Sequence, residues 1–306
     1  MINILYPFEN GTLGGGNNFL LSLRVELTRR NLYSSFWFSR VVLINSHHFS
    51  KFNIFLFWIF LKRILGKKFI VIHRIDGSLV VGRNSLDYLK IDEKIIWINK
   101  YFADFTIFQS KWAEDIFRLK YPSSSFRNPH VLHNFSRFNF DNFQCKNRIK
   151  GEKFNLLYCS WSTNELKGFD TLKYLDKYLN FNVFSLNYVG RVPEGNLFQN
   201  VRTLGVLNGE ELKVEYSKAD IFLALMLNDA CSNALIEAQA MGLLIVYFDS
   251  GGNAEIIHKR SIKVNNNEEI LRVLIEISRT YRGFNKLPYQ RVSNEEYISS
   301  LCSFWE

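Results

Sequence analysis

The sequence predicts an α/β protein made of two doubly wound parallel-sheet domains, on three observations. Short apolar runs alternate with amphipathic stretches along the chain, the pattern of βαβ units. The length of 306 residues exceeds what one hydrophobic core usually serves. A polar, basic, irregular stretch at 138–153 interrupts the alternation, which restarts at Phe154. The boundary is therefore expected between residues 148 and 149, giving domains 1–148 and 149–288.

Each element follows from local pattern. In the first half, residues 2–6, 69–73, 105–109 and 131–132 are short and rich in β-branched or aromatic side chains, and read as strands. Residues 19–30, 54–65, 93–102 and 111–119 repeat apolar positions at helical spacing. In the second half, strands are predicted at 154–160, 185–189, 221–225 and 243–248. The helices there are 171–178, 209–217, 234–241 and 268–281. Ser232 or Asn233 is a natural N-cap for residues 234–241, and Gly242 ends that helix. Sheets of this kind take ligands at the carboxyl ends of their strands, so a cleft between two such domains is the expected site.

Composition removes several function classes. A hydrophobic fraction of 47% supports a large buried core and excludes wholesale disorder. The longest apolar run, residues 54–61, has eight residues, against roughly 20 needed to cross a bilayer. The N-terminus has no basic region followed by a cleavage site, so no secretory signal is expected. Cys145, Cys159, Cys231 and Cys302 are widely spaced without a CxxC pair and read as reduced thiols of a cytoplasmic protein. Charge is uneven: residues 1–150 carry 22 basic and 10 acidic side chains, residues 151–306 carry 16 and 19. A basic first half points to an anionic partner, nucleic acid or an acidic membrane surface; a general bias toward Lys, Asn and Phe explains it equally. No reading helix and no basic–aromatic interleaving is found, so nucleic acid is not expected as a partner.

Three stretches could carry chemistry. Gly14-Gly15-Gly16 lies between a strand and a helix, where glycines allow close backbone approach and the helix N-terminus favours an anion. It is not the dinucleotide fingerprint, because the third glycine would fall on Phe19. A flexible turn is the plain alternative. The second stretch runs from Asn228 to Glu237 and places Asp229 before a helix and Glu237 one turn inside it. A diphosphate on the helix N-terminus, with carboxylates accepting bonds from sugar hydroxyls, suits that spacing; so does an ordinary capped helix. The third is Ser160–Asp170, which puts Lys167 near a strand's carboxyl end, where an ammonium can neutralise phosphate; an ordinary surface lysine is the plain alternative.

Together and in this order, these pieces resemble the retaining, nucleotide-sugar-dependent glycosyltransferases of the GT-B fold, within glycosyltransferase family 4. The stretch Asp229–Glu255, DACSNALIEAQAMGLLIVYFDSGGNAE, is similar to that family's E-x7-E segment with its downstream Gly-Gly-x-x-Glu. Gly14–Gly16, Lys167-Gly168, Tyr188–Arg191 and His133-Asn134-Phe135 resemble further family landmarks. The resemblance implies two Rossmann-like domains facing across a cleft, with residues 289–306 returning as a helix onto the first. It implies that Glu237 holds the ribose and that Asp229 faces the donor sugar. Lys167 and the backbone amides of Ser232 and Asn233 would bind the diphosphate. Gly14, Gly15 and Gly16 would close over the phosphates, and Gly190 and Arg191 would lie near the base. The donor is expected to be a UDP- or GDP-sugar, with no cofactor and no metal, since no Asp-x-Asp clamp occurs.

Two departures bear on activity. Asp229 stands where the family usually has Glu, and Ser162 stands five positions before Lys167 where an Arg is common. A catalytically inactive GT-B-like nucleotide- or glycan-binding protein is therefore the alternative. In the first half, His73 is a candidate for the donor sugar, with Arg74, Asp76 and Ser110 as candidates for the acceptor; a core histidine and a structural ion pair are the plain readings. The expected acceptor is a glycan or lipid-linked hydroxyl in surface polysaccharide, lipopolysaccharide or glycolipid assembly. The apolar stretch at 52–65, followed by Lys67-Lys68, reads first as a buried helix; peripheral attachment to the inner face of an anionic membrane is the other reading.

Overall fold

The computed structural model describes residues 1–8, 14–47, 52–123, 125–138, 152–195, 197–280 and 286–305, with backbone alone at 52–53. The chain forms two compact units: Met1–Asn10, Gly16–Phe135 and Val292–Glu306 make the first, Gly11–Gly15 and Ser136–Arg291 the second. The expected boundary at 148/149 lies outside the described residues.

The first unit begins with β1 (Ile2–Leu5), α1 (Gly15–Arg29), β2 (Val41–Asn45), α2 (Phe52–Ile64) and β3 (Ile70–Ile75). It continues with α3 (Leu79–Arg83), α4 (Leu89–Phe102), β4 (Phe105–Phe108), α5 (Lys111–Lys120) and β5 (Pro129–Val131). Its parallel sheet has the order β1-β2-β3-β4-β5. On the far side of β1, Ile2 makes an isolated parallel bridge to Tyr33. The chain thus leaves β1 toward Tyr33 and then crosses back to β2. That reversal makes β1 a topological switch point, the place where such sheets take ligands.

α1 buries Phe19, Leu20, Leu23 and Leu27 against Ile4 and Leu43. Each such side chain contributes about 2 kcal/mol of transfer free energy. The helix starts at Gly15, so Gly15 and Gly16 are its first turn rather than part of a loop. β2 was not predicted; its Val-Val-Leu-Ile-Asn run is buried on both faces and lacks the alternation that marks a strand. α2 corrects the expectation of a buried helix. Leu56, Ile59 and Lys62 point inward, while Ile54, Phe57, Trp58, Phe60, Ile64 and Leu65 are exposed. The helix is apolar all round, but only one side of it meets the sheet.

The second unit contains β6 (Phe154–Ser160), α6 (Phe169–Tyr178), β7 (Phe184–Gly190), β8 (Arg202–Thr203) and α7 (Gly209–Lys218). There follow β9 (Ile221–Ala224), α8 (Asn233–Ala240), β10 (Leu244–Phe248), β11 (Ile262–Val264) and α9 (Asn267–Thr280). Its parallel order, β11-β10-β9-β6-β7-β8, runs outward from β6 in one direction and then from β9 in the other. The switch point therefore lies between β6 and β9. α10 (Asn294–Ser303) belongs to the first unit. A Ser293–Glu296 capping box starts it, and its Tyr297 ring sits 5.3 Å from Phe19 and 5.4 Å from Phe135. None of Cys159, Cys231 and Cys302 is in a disulfide; Cys145 lies outside the described residues.

Candidate functional site

The second unit's switch point carries the predicted residues. β6 ends at Ser160 and β9 at Ala224, so the segments that follow both strands open at the same edge. Lys167 ends a single turn whose N-cap, Asn164, accepts the Leu166 amide. The Tyr158 hydroxyl donates to the Lys167 carbonyl from beneath, and the Leu227 amide donates to the Leu166 carbonyl from the other segment. With its backbone fixed on both sides, Lys167 places Nζ 2.6 Å from Asp229 Oδ2. Both side chains keep about a fifth of their surface in solvent, so the pair is open to a ligand.

Asp229 is itself held in place. Its Oδ1 accepts the Cys231 amide, and its carbonyl accepts the Gly252 amide. Gly251, at φ +70°, lies so close to the Asp229 backbone that a Cβ there would collide with it. The Gly251-Gly252 pair thus supports Asp229 directly. The next residues form the start of α8, where the Ser232 hydroxyl caps the helix by accepting the Leu235 amide. The Ser232 amide donates to Asn253 Oδ1 at 3.1 Å. This corrects the expectation that the Ser232 N–H binds diphosphate, because Asn253 already takes it. Asn233 is the first helical residue and keeps its place at the N-terminus.

Glu237 lies four residues further along α8, about 6 Å by helical rise. It is 7% exposed and paired on both oxygens: Arg137 Nε donates to Oε1 at 2.7 Å and the Tyr216 hydroxyl to Oε2 at 3.2 Å. Burial raises the Glu237 pKa above the usual carboxylate value, and the Arg137 guanidinium and the Tyr216 hydroxyl oppose that rise. Gly190 closes β7 with a φ of +141°, where a Cβ would run into the Ser160 carbonyl; β6 and β7 can converge here only through glycine. Arg191 is exposed and stacks over Trp161 at 4.2 Å. A Cβ on Gly14 would meet the same Trp161 ring, and one on Gly15 would meet Asn233.

The first-unit candidates are placed differently. His73 is fully buried; Nε2 donates to the Ser46 carbonyl and Nδ1 accepts from Asn99 Nδ2. Burial pushes its pKa down to about 4, so the ring is neutral. This is a core histidine, and that finding replaces the role in donor-sugar binding. Arg74 is also fully buried, held by Asp76, Asn45 and Asn134 and lying over the Phe19 ring. Ser110 is buried and caps α5 by accepting the Ala113 amide. Neither Arg74 nor Ser110 presents a side chain to an acceptor, which corrects both expectations. Asp76 keeps a quarter of its side chain exposed while bonding Arg74, Asn45 and Gln109.

Three partners were not predicted from sequence: Arg137, Tyr216 and Asn253. Arg137 has no motif around it, and Tyr216 reads as a core aromatic. Asn253 lies inside the Gly-Gly-x-x-Glu segment, which was its one available signal.

Comparison with known proteins bears on the fold and on the sequence of the second unit. Residues 175–279, which run from α6 through α9, match the model of the family described as glycosyl transferases group 1. Those residues include Gly190, Asp229 and Glu237. No curated protein matches the chain in sequence. Among solved structures, HepE of Anabaena in complex with UDP and glucose superposes with a TM-score of 0.71 at 10% identity, covering 99% of this chain and 98% of that one. The lipopolysaccharide outer core galactosyltransferase WaaB superposes at 0.60 with 12% identity over 99% of each chain. Sucrose-phosphate synthase of Thermosynechococcus elongatus gives 0.60 at 15% identity, covering 92% of this chain and 73% of its own. The chain therefore has the GT-B fold of glycosyltransferases, and its second unit carries the group 1 sequence pattern.

Proposed function

We propose that the protein transfers a sugar from a nucleoside-diphosphate sugar to a hydroxyl acceptor, with retention of anomeric configuration and without a metal ion. The observation that carries this reading is the pairing of Lys167 with Asp229 at the switch point, with Glu237 one helical turn beyond on α8. An ammonium, a helix N-terminus and two carboxylates are gathered at one edge of the sheet, the kinds of group that a sugar, a diphosphate and a ribose would use. Lys167 would neutralise the leaving diphosphate, and the N-terminus of α8 would add its partial positive charge. Asp229, relieved of part of its bond to Lys167, would accept a sugar hydroxyl. Glu237 would accept the ribose hydroxyls, with the Arg137 guanidinium opposing the rise in its pKa that burial causes. The transition state is oxocarbenium-like, and front-face attack lets the departing phosphate take the acceptor's proton.

UDP-sugars are the first donors to test, because the HepE structures hold UDP and UDP-glucose. The acceptor is proposed to be a glycan or a lipid-linked sugar of a surface polysaccharide, lipopolysaccharide or glycolipid. One observation favours a second reading, nucleotide binding without turnover: position 162 holds a serine, whose hydroxyl accepts the Asn164 amide and, being neutral, brings no charge to a phosphate. Incubation with UDP-, GDP-, ADP- and CMP-sugars and a panel of glycan acceptors separates the two. Release of nucleoside diphosphate coupled to a product of unchanged anomeric configuration by NMR supports transfer. Tight nucleotide binding with no release from any donor supports the second reading.

A further inference from the structure

Among the described residues, the outward face of α2 is apolar and exposed. Ile54, Phe57, Trp58, Ile64 and Leu65 recur at helical spacing on that face, beside the 57% exposed Phe60. The short turn Phe36–Phe38 adds Trp37 and Phe38, the latter 81% exposed, and the Trp37 ring meets the Trp58 ring edge-on at 5.4 Å. Isolated apolar residues are normal on a surface, but a contiguous aromatic cluster of this kind marks a binding face.

A buried lysine fixes that cluster. Lys62 is 1% exposed and donates Nζ to the carbonyls of Phe36 and Ser39, lying over the Phe36 and Phe69 rings. It ties the turn that carries Trp37 and Phe38 to the helix that carries Phe57 and Trp58. The aromatic face is therefore presented as one unit, at little ordering cost on binding.

Charge selects the occupant. From residue 27 to residue 75 the sequence contains nine Lys or Arg and no Asp or Glu. Of these, Lys67 and Lys68 are exposed at the carboxyl end of α2, where Arg63 is paired with Asp104 at 3.1 Å. A second copy of the chain would bring like charges together across a two-fold axis. An anionic surface would instead pair with them. Tryptophan and phenylalanine flanked by lysine is the composition of helices that lie in a lipid interface. No described helix is long and apolar enough to cross a membrane.

We infer that the exposed face of α2, with Trp37 and Phe38, inserts into the interfacial layer of an anionic lipid bilayer, with Lys67 and Lys68 against the headgroups. The test is flotation with vesicles of phosphatidylcholine alone or with 30 mol% phosphatidylglycerol, at low and high salt. Binding is expected to the anionic vesicles only and to weaken with salt. Lys67→Gln/Lys68→Gln should lower the partition coefficient about thirtyfold, and Phe57→Ser/Phe60→Ser should abolish it. All these side chains are exposed, so unchanged circular dichroism melting shows that the variants fold. Glu237→Gln should bind vesicles as the wild type does, so failure of the donor-site reading leaves this result standing, and the reverse. Absence of anionic-vesicle binding by the folded wild type would overturn the inference. So would a dimer in solution that Phe57→Ser/Phe60→Ser dissociates while vesicle binding is unchanged.

Discussion

Arg137→Met isolates the electrostatics of the site. In the folded chain the Arg137 and Glu237 side chains retain 18% and 9% of their exposure, and their polar atoms are 2.7 Å apart. Removing the guanidinium leaves a buried carboxylate with the Tyr216 hydroxyl as its remaining partner among those described above. Stranding one member of such a pair costs about 3 kcal/mol at neutral pH, or a fall of roughly 6–12 °C in the melting temperature of a unit of this size. The sign with pH follows from linkage. Burial raises the Glu237 pKa in the folded state, and Arg137 restrains that rise. Without Arg137 the folded state takes up a proton more readily than the unfolded chain, so stability increases as pH falls through the folded pKa. Melting of wild type and Arg137→Met at pH 7.5 and pH 5 should show the deficit shrinking at the lower pH. Glu237→Gln added to Arg137→Met should recover most of the loss at pH 7.5. An equal deficit at both pH values, unrelieved by Glu237→Gln, would refute the reasoning.

Other consequences follow from the same geometry. Lys167→Ala should lower kcat about 100- to 1,000-fold with little change in KM, since its charge counts most on the leaving diphosphate; steady-state kinetics checks the split. Folded-state His73 titrates near 4 against an ordinary value of 6.5, so its stabilising neutral form is fully present above pH 6.5 and lost as pH falls toward 4. That separation is worth up to about 3 kcal/mol, and urea unfolding at pH 7.5 and 4.5 should show a steeper acid loss in wild type than in His73→Gln. Gly190→Ala forces a methyl into the Ser160 carbonyl at positive φ and should lower the melting temperature of the second unit by several degrees, read by calorimetry.

The second unit was the more legible in sequence. Its strands at 154–160 and 221–225 and the helix after Ser232 appear within a residue or two of their expected places, because caps and glycines punctuate them. Asp229, Lys167 and Glu237 were each visible as residues, but their pairing was not. Arg137 and Glu237 are 100 positions apart, and nothing local marks the guanidinium that meets the carboxylate. In the first unit, β2 escaped because a strand buried on both faces has no alternation. His73, Arg74 and Ser110 follow strand or strand-end positions, as site residues do, and only burial distinguishes their structural bonds from catalytic ones. The exposed face of α2 was hidden by its own apolarity, since hydropathy alone does not say which side meets the sheet.

The central claim, that the second unit's switch point takes a nucleoside diphosphate, is tested most directly by thermal stabilisation with UDP, GDP, ADP and CMP. At about 100 times its dissociation constant, the matching nucleotide should add roughly 2.7 kcal/mol, and the effect should vanish in Glu237→Gln. No stabilisation by any of the four, or equal stabilisation of wild type and Glu237→Gln, would contradict the account.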